Sequence, residues 1–166
     1  MVTGVSGTGK SPVAQALATD FGWAFAEGDD FHSPANIEKM RSGHPLTDED
    51  RWPWLSSIAA WIGEQEKAST GAVVTCSALK RSYRDLLRAG HPDVRFVCLV
   101  GSRELLEGRL TRRTDHFMPA SLLDSQLATF EPLQPDEPGG NVDVGGSPAQ
   151  TEQAARALLL SSSPSA

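Results

Sequence analysis

Apolar positions along the chain fall into short continuous runs, separated by longer stretches where they recur every three or four residues. This alternation predicts parallel strands joined by crossover helices. "MVT" (1–3) is the stub of a first strand, followed by a glycine loop and a helix through "PVAQALATDF" (12–21) with Ala14, Leu17 and Ala18 on one face. Pro12 falls in the first turn of that helix, where its missing N–H costs little. "WAFAEGDD" (23–30) reads as a second strand running out into two aspartates. "SPANIEKMRSG" (33–43) reads as a helix capped by Ser33, with Pro34 at its first position and Gly43 just past its end. A polar loop then leads into a long helix in which Trp54, Ile58, Trp61 and Ile62 recur at helical spacing.

"AVVTCSAL" (72–79) is the unbroken apolar run expected of a central strand covered on both faces. A basic helix "KRSYRDLLRAG" (80–90), a buried strand "VRFVCLV" (94–100) and a helix "SRELLEGRL" (102–110) follow. "TRRTDHFMPASLLDSQLATFEPL" (111–133) carries a basic loop into a further helix. "NVDV" (141–144) is a last short strand, and "SPAQTEQAARALLL" (147–160) a closing helix capped by Ser147 with Pro148 just inside. No internal repeat is present.

The length, 166 residues, suits one domain over 1–160, with "SSSPSA" (161–166) as a disordered tail that has nothing to bury. Composition is that of a globular chain, 39% hydrophobic and 22% charged. The net charge is −6 and no block of lysines or arginines occurs, which argues against a sequence-independent grip on nucleic acid. An anionic ligand must instead be met by a few placed cations. Cys76 and Cys98 sit in apolar runs without metal-pair spacing, and are expected as buried, reduced thiols of a cytoplasmic protein. No signal peptide is visible, and the longest apolar runs are far short of the roughly 20 residues a membrane helix needs.

Gly4, Val5, Ser6, Gly7, Thr8, Gly9, Lys10 and Ser11 fit G-x-x-x-x-G-K-[ST], with a strand before and a helix after. Glycines let the backbone turn tightly and come close to a phosphate, so that successive N–H groups and the positive helix end converge on one anion. Lys10 then reaches the outer phosphates of a nucleoside triphosphate such as ATP, and the Ser11 hydroxyl ligates Mg²⁺.

A phosphate cradle serves kinases, switches and mechanical ATPases alike. This chain is small, has no N-K-x-D guanine motif, and no apolar strand ending in a Walker B aspartate. Its second strand ends in "EGDDFH" (27–32), which places carboxylates and an imidazole near the phosphates if ligands gather at the strand ends. Phosphoryl transfer to an alcohol needs a carboxylate to orient the hydroxyl and accept its proton. Asp29 is the expected base, with Asp30 and Glu27 facing away if the chain is extended there. His32 is expected to hydrogen-bond a polyol.

Together "GVSGTGKS", "GDDFHSPANIEKMRSGHPLTDEDRWPWL", "CSALKRSYRDLLR" and "RLTRRTDHFMPASLLDSQLATFE", in this order from Gly4 to about Pro138, resemble the small gluconokinases, P-loop kinases related to shikimate and adenylate kinases. The resemblance implies a three-layer α/β fold, with a parallel sheet of about five strands in the order 2-3-1-4-5, flanked by helices. It also implies a substrate-binding insert over about 29–69, a lid over about 110–121, and frequently a homodimer. The implied activity is ATP-dependent phosphorylation of D-gluconate at its 6-hydroxyl, with Mg²⁺. A kinase for another small metabolite, and a nucleotide-binding protein without transfer activity, remain alternatives.

Carried over by position, Gly4 to Ser11 is the ATP loop and Asp29 the activating aspartate. His32, Arg51, Lys80 and Arg84 fall in blocks that line the sugar-acid pocket, where a carboxylate suits arginine and ammonium groups. Arg109 and Arg113 would share a helix face, if the helix reaches that far, and stabilise the moving phosphoryl group. His116 and Gln126 are expected as substrate or lid contacts. Trp52, Trp54 and Trp61 are expected in the core. Met1 leaves the first strand shorter than in most relatives, Pro12 replaces a usual threonine or alanine, and Asp115 stands where a lid glycine is common.

Overall fold

The structure, a computed structural model, describes residues 1–112 and 120–161. Among these residues five strands, β1 (Val2–Thr3), β2 (Ala24–Ala26), β3 (Ala72–Val74), β4 (Phe96–Val100) and β5 (Gly139–Asp143), all pair in parallel. One ladder runs β1-β4-β5 and another β2-β3, joined where Val2 bridges Thr75 and Cys76 N–H donates to the Val2 carbonyl at 3.0 Å. The spatial order is thus β2-β3-β1-β4-β5, as expected. Such a sheet needs helical crossovers, because parallel neighbours cannot be joined by a tight turn.

Among the described residues α1 (Lys10–Phe21), α2 (Pro34–Arg41), α3 (Asp48–Lys67), α4 (Arg81–Arg88), α5 (Arg103–Thr111) and α6 (Ala120–Thr129) supply them, and α7 (Pro148–Ser161) follows the last strand. α1 packs on β1, β2 and β3 and against α7, which in turn covers β4 and β5, while α3 packs on α4. Successive residues of β4 face opposite ways. Val97 and Leu99 join the main core with Val142 and Ala155, and Phe96 and Cys98 pack with Leu133 and Phe130. Both cysteines are buried and unbridged.

The caps behave as the side chains dictate. Ser33, Ser102 and Ser147 accept N–H groups of the first turns of α2, α5 and α7. Thr47 and Asp50 form a reciprocal box at the start of α3. The same Asp50 takes Lys39 Nζ at 2.6 Å, and its backbone carbonyl takes Asn36 Nδ2 at 2.9 Å, so one residue ties α2 to α3. The Lys39 bond, with the Thr47 N–H, lowers the Asp50 carboxyl to about 2.

Two expectations are corrected. β2 stops at Ala26, and the two aspartates lie in a 3₁₀ turn, Gly28–Phe31. The Gly28 N–H donates to the Thr75 hydroxyl, not to a strand ladder, which ends the extended run. α5 is described through Thr111, with Arg109 in its last turn, and the face shared with Arg113 falls outside the described residues. Ser161 closes α7 and is not part of a tail. Most of the expected lid, Arg113 and His116 included, lies outside the described residues, as do 162–166.

Candidate active site

The glycine loop bridges β1 and α1 in the expected place. Gly4, Gly7 and Gly9 all have positive φ, and Gly9 turns the chain into the first residue of α1 in the left-handed region. At Gly4 a side chain is excluded twice over, by a φ of 135° and by the Leu99 carbonyl, 2.5 Å from where a Cβ would stand. The loop is braced from within: Thr8 Oγ1 donates to the Val5 carbonyl at 2.8 Å, and Lys10 Nζ reaches the same oxygen at 3.2 Å. No acidic residue lies in the first turn of α1, so nothing on the helix offsets its positive end. Ser11, half-buried in that turn, presents a hydroxyl oxygen of the kind hard cations take.

Next to the loop, the 3₁₀ turn carries Asp29 on a tightly held peptide. The Gly28 N–H donates to Thr75 Oγ1 at 3.0 Å, and the Gly28 carbonyl accepts Trp54 Nε1 at 2.7 Å. Thr75 in turn donates to Glu27 at 2.6 Å. The backbone approach is so close that a Cβ on Gly28 would lie 1.9 Å from the Thr75 carbonyl oxygen. Asp29 itself projects outward, its side chain 88% exposed, whereas the His32 side chain is 3% exposed, with Nε2 3.9 Å from Asp29 Oδ1. Burial pushes the His32 imidazole below its ordinary value, against the pull of Asp29.

Arg51 and Lys80 meet over one tyrosine. Arg51 lies 5.7 Å and Lys80 5.5 Å from the centre of the Tyr83 ring. Lys80 Nζ contacts both oxygens of Asp48, at 2.9 and 3.0 Å, and the Tyr83 hydroxyl donates to the same carboxylate. The Tyr83 bond, followed by that of Lys80, holds the Asp48 carboxyl below the usual range. Burial pushes the Cys76 thiol up to about 12, and the charges of Asp29, Lys10 and Arg51 all act on it. The glycine loop and the Asp29 turn both hang on the segment just after β3: the Gly4 N–H donates to the Ser77 carbonyl at 3.3 Å, as the Gly28 N–H does to the Thr75 hydroxyl.

Other expected site residues fall elsewhere. Arg84 is in the interior, 1% exposed, with Nε and Nη2 on Glu137 at 2.6 and 2.8 Å and Nη1 on the carbonyls of Ala78 and Glu131. It is a bolt between α4 and the segment before β5 and has no face to offer a ligand. Arg109 donates to the Val144 carbonyl at 2.6 Å. Gln126 does reach the loop: its Oε1 accepts the Ser6 N–H at 2.8 Å. Sequence reasoning passed over Asp48, Tyr83 and Thr75, and took Trp54 for a core residue only. Asp48 and Tyr83 stand in the stretches "TDED" and "KRSYR", but nothing in either shows that they meet.

No family model matches the chain. It is 59% identical over 138 residues to a gluconokinase of Gluconobacter oxydans, a match covering 83% of this chain and 78% of the relative. Among solved structures it resembles an unliganded sugar kinase from a Janibacter species, with 52% identity and a TM-score of 0.91 over 95% of this chain and 91% of the other. A gluconokinase from Sinorhizobium meliloti follows with 45% identity and a TM-score of 0.79, covering 98% and 95% of the two chains.

Proposed function

The chain belongs to the gluconokinase family, and from that premise we propose that it phosphorylates D-gluconate on its 6-hydroxyl, with ATP as donor, to give 6-phospho-D-gluconate. The observation that carries the residue assignment is that the glycine loop and the Asp29 turn are anchored side by side on the segment after β3, Gly4 on Ser77 and Gly28 on Thr75. A phosphate-holding cation, a carboxylate and a cation suited to a sugar acid are the parts this transfer needs.

In this reading the amides of Gly4 to Ser11 and the Lys10 ammonium hold the triphosphate and take up charge as it shifts toward the leaving oxygen. Asp29 orients the 6-hydroxyl for in-line attack and accepts its proton as the new O–P bond forms. His32 hydrogen-bonds the polyol, and Arg51 and Lys80 meet the gluconate carboxylate. Among the described residues no cluster of His, Cys, Asp and Glu is arranged to hold a metal ion. Ser11 would hold Mg²⁺ together with phosphate oxygens, and the ion supplies further charge neutralisation there. Gln126 lies against the loop on the side of α6, where it would contact bound nucleotide, and Arg109 stands one turn before the end of α5.

The same reading places the enzyme in the cytoplasm as a homodimer acting on small molecules, with no part for nucleic acid or membrane. Among the described residues no helix is long and apolar enough to cross a membrane. The test is ADP release from ATP and Mg²⁺ across an acceptor panel of gluconate, shikimate and other sugar acids. Gluconate is expected to give the highest kcat/KM. Equal or faster turnover of another acceptor overturns the substrate assignment, and nucleotide binding without acceptor-dependent release overturns the enzyme.

A further inference from the structure

Trp54 is buried in the middle of α3, yet both of its recognition features point at the acceptor side of the site. Its indole N–H donates 2.7 Å to the Gly28 carbonyl, which belongs to the peptide that leads into Asp29. Its ring lies against the His32 imidazole, with centroids 4.1 Å apart and planes 17° from parallel. His32 Nδ1 is buried and has no hydrogen-bond partner among the described residues. An unfilled polar atom in a protein interior is costly, and the indole holds the plane of the imidazole that carries it.

We propose that Trp54 is a positioning residue for the acceptor site, setting the Asp29 turn through its N–H and the His32 ring through its face. The inference rests on the assignment of Asp29 and His32 to the gluconate end of the reaction. Thr75 holds the N–H of Gly28 and Trp54 its carbonyl, so the residue before Asp29 is clamped on both sides. An exposed carboxylate on so short a turn depends on such a clamp for its aim. Small errors in the placement of a reacting group cost large factors in rate. The two functions are chemically separable, because phenylalanine keeps an aromatic face and lacks the N–H, whereas leucine lacks both.

Trp54→Phe is expected to lower kcat about tenfold or more while leaving the KM for ATP and gluconate within about twofold of wild type. Affinity for a non-hydrolysable ATP analogue, set by the glycine loop, serves as the check that each variant is folded. The second readout needs no turnover: the His32 ring resonances, assigned with His32→Gln, followed by NMR against pH. Burial holds the His32 pKa down, Arg51 adds to that and Asp29 opposes it. Trp54→Leu admits water and moves the titration midpoint up toward the ordinary histidine value, whereas Trp54→Phe leaves it near wild type. Unchanged kcat in a folded Trp54→Phe enzyme overturns the clamp. An unmoved His32 titration in a folded Trp54→Leu protein overturns the stacking role, and if that variant does not fold, the Trp54→Phe rate decides alone. Should the wild-type protein not phosphorylate gluconate at all, the functional reading fails on that control, and the NMR arm still decides whether Trp54 positions His32.

Discussion

The guanidinium of Arg84 meets both carboxylate oxygens of Glu137, at 2.6 and 2.8 Å, with the two side chains 1% and 4% exposed. Removing one partner of such a pair strands a charge in the interior, which typically costs about 3–5 kcal/mol. Arg84→Ala is therefore expected to melt far below wild type, and Arg84→Met with Glu137→Leu to recover part of the loss. Burial raises the Glu137 carboxyl, but the bonds from Arg84 and the Gln134 N–H outweigh it and hold the group below its ordinary 4.5. This contribution is complete above 4.5 and lost as pH falls through the lower folded value. Melting curves from neutral to acid pH check both points, and a melting temperature unchanged by Arg84→Ala would refute the bolt.

Asp29→Asn keeps the shape of the turn and removes the proposed proton acceptor. We expect kcat to fall about 10²–10⁴-fold with ATP-analogue affinity unchanged. Lys10→Ala, by contrast, weakens productive binding of the triphosphate. Full turnover in Asp29→Asn would assign the base elsewhere.

Arg51 and Lys80 share the Tyr83 ring, and Asp48 holds Lys80 in place. If they receive the gluconate carboxylate, Arg51→Ala or Lys80→Met raises the KM for gluconate about 10–100-fold, the range of one charge-assisted hydrogen bond, and leaves the KM for ATP unaltered. Steady-state kinetics with each substrate varied in turn distinguish this from a general loss of structure, which would move both constants.

Gln126 Oε1 lies 2.8 Å from the Ser6 N–H of a loop proposed to hold phosphates. Gln126→Glu puts a negative charge on that atom, nearly isosterically, where it competes with the triphosphate and repels it. The expected result is about tenfold weaker ATP binding, eased by acid as the carboxylate protonates. Isothermal titration with an ATP analogue measures it, and unchanged affinity would place bound nucleotide away from this side chain.

Much of this architecture is readable in one dimension because its causes are local. A strand covered on both faces must be apolar throughout, as "VRFVCLV" is, and a Ser-Pro pair before an amphipathic stretch must start a helix, as at Ser33 and Ser147. The glycine loop is legible for the same reason, since only glycines serve where φ is positive and a backbone passes within contact. The run "EGDD" misled because a Gly28 that looks like one more extended residue is captured by Thr75, distant in sequence.

From the residue string alone came the alternation of strands and helices, the phosphate loop and the family resemblance, all set by neighbours a few positions apart. The folded structure decided which of several similar cations are sealed in the interior and which stay accessible. Arg84 and Lys80 stand four positions apart on one basic stretch, yet one is sealed against Glu137 and the other beside Asp48 and Tyr83. A long charged side chain goes where its counter-charge is, and that partner is chosen by chain topology at a distance no local pattern records.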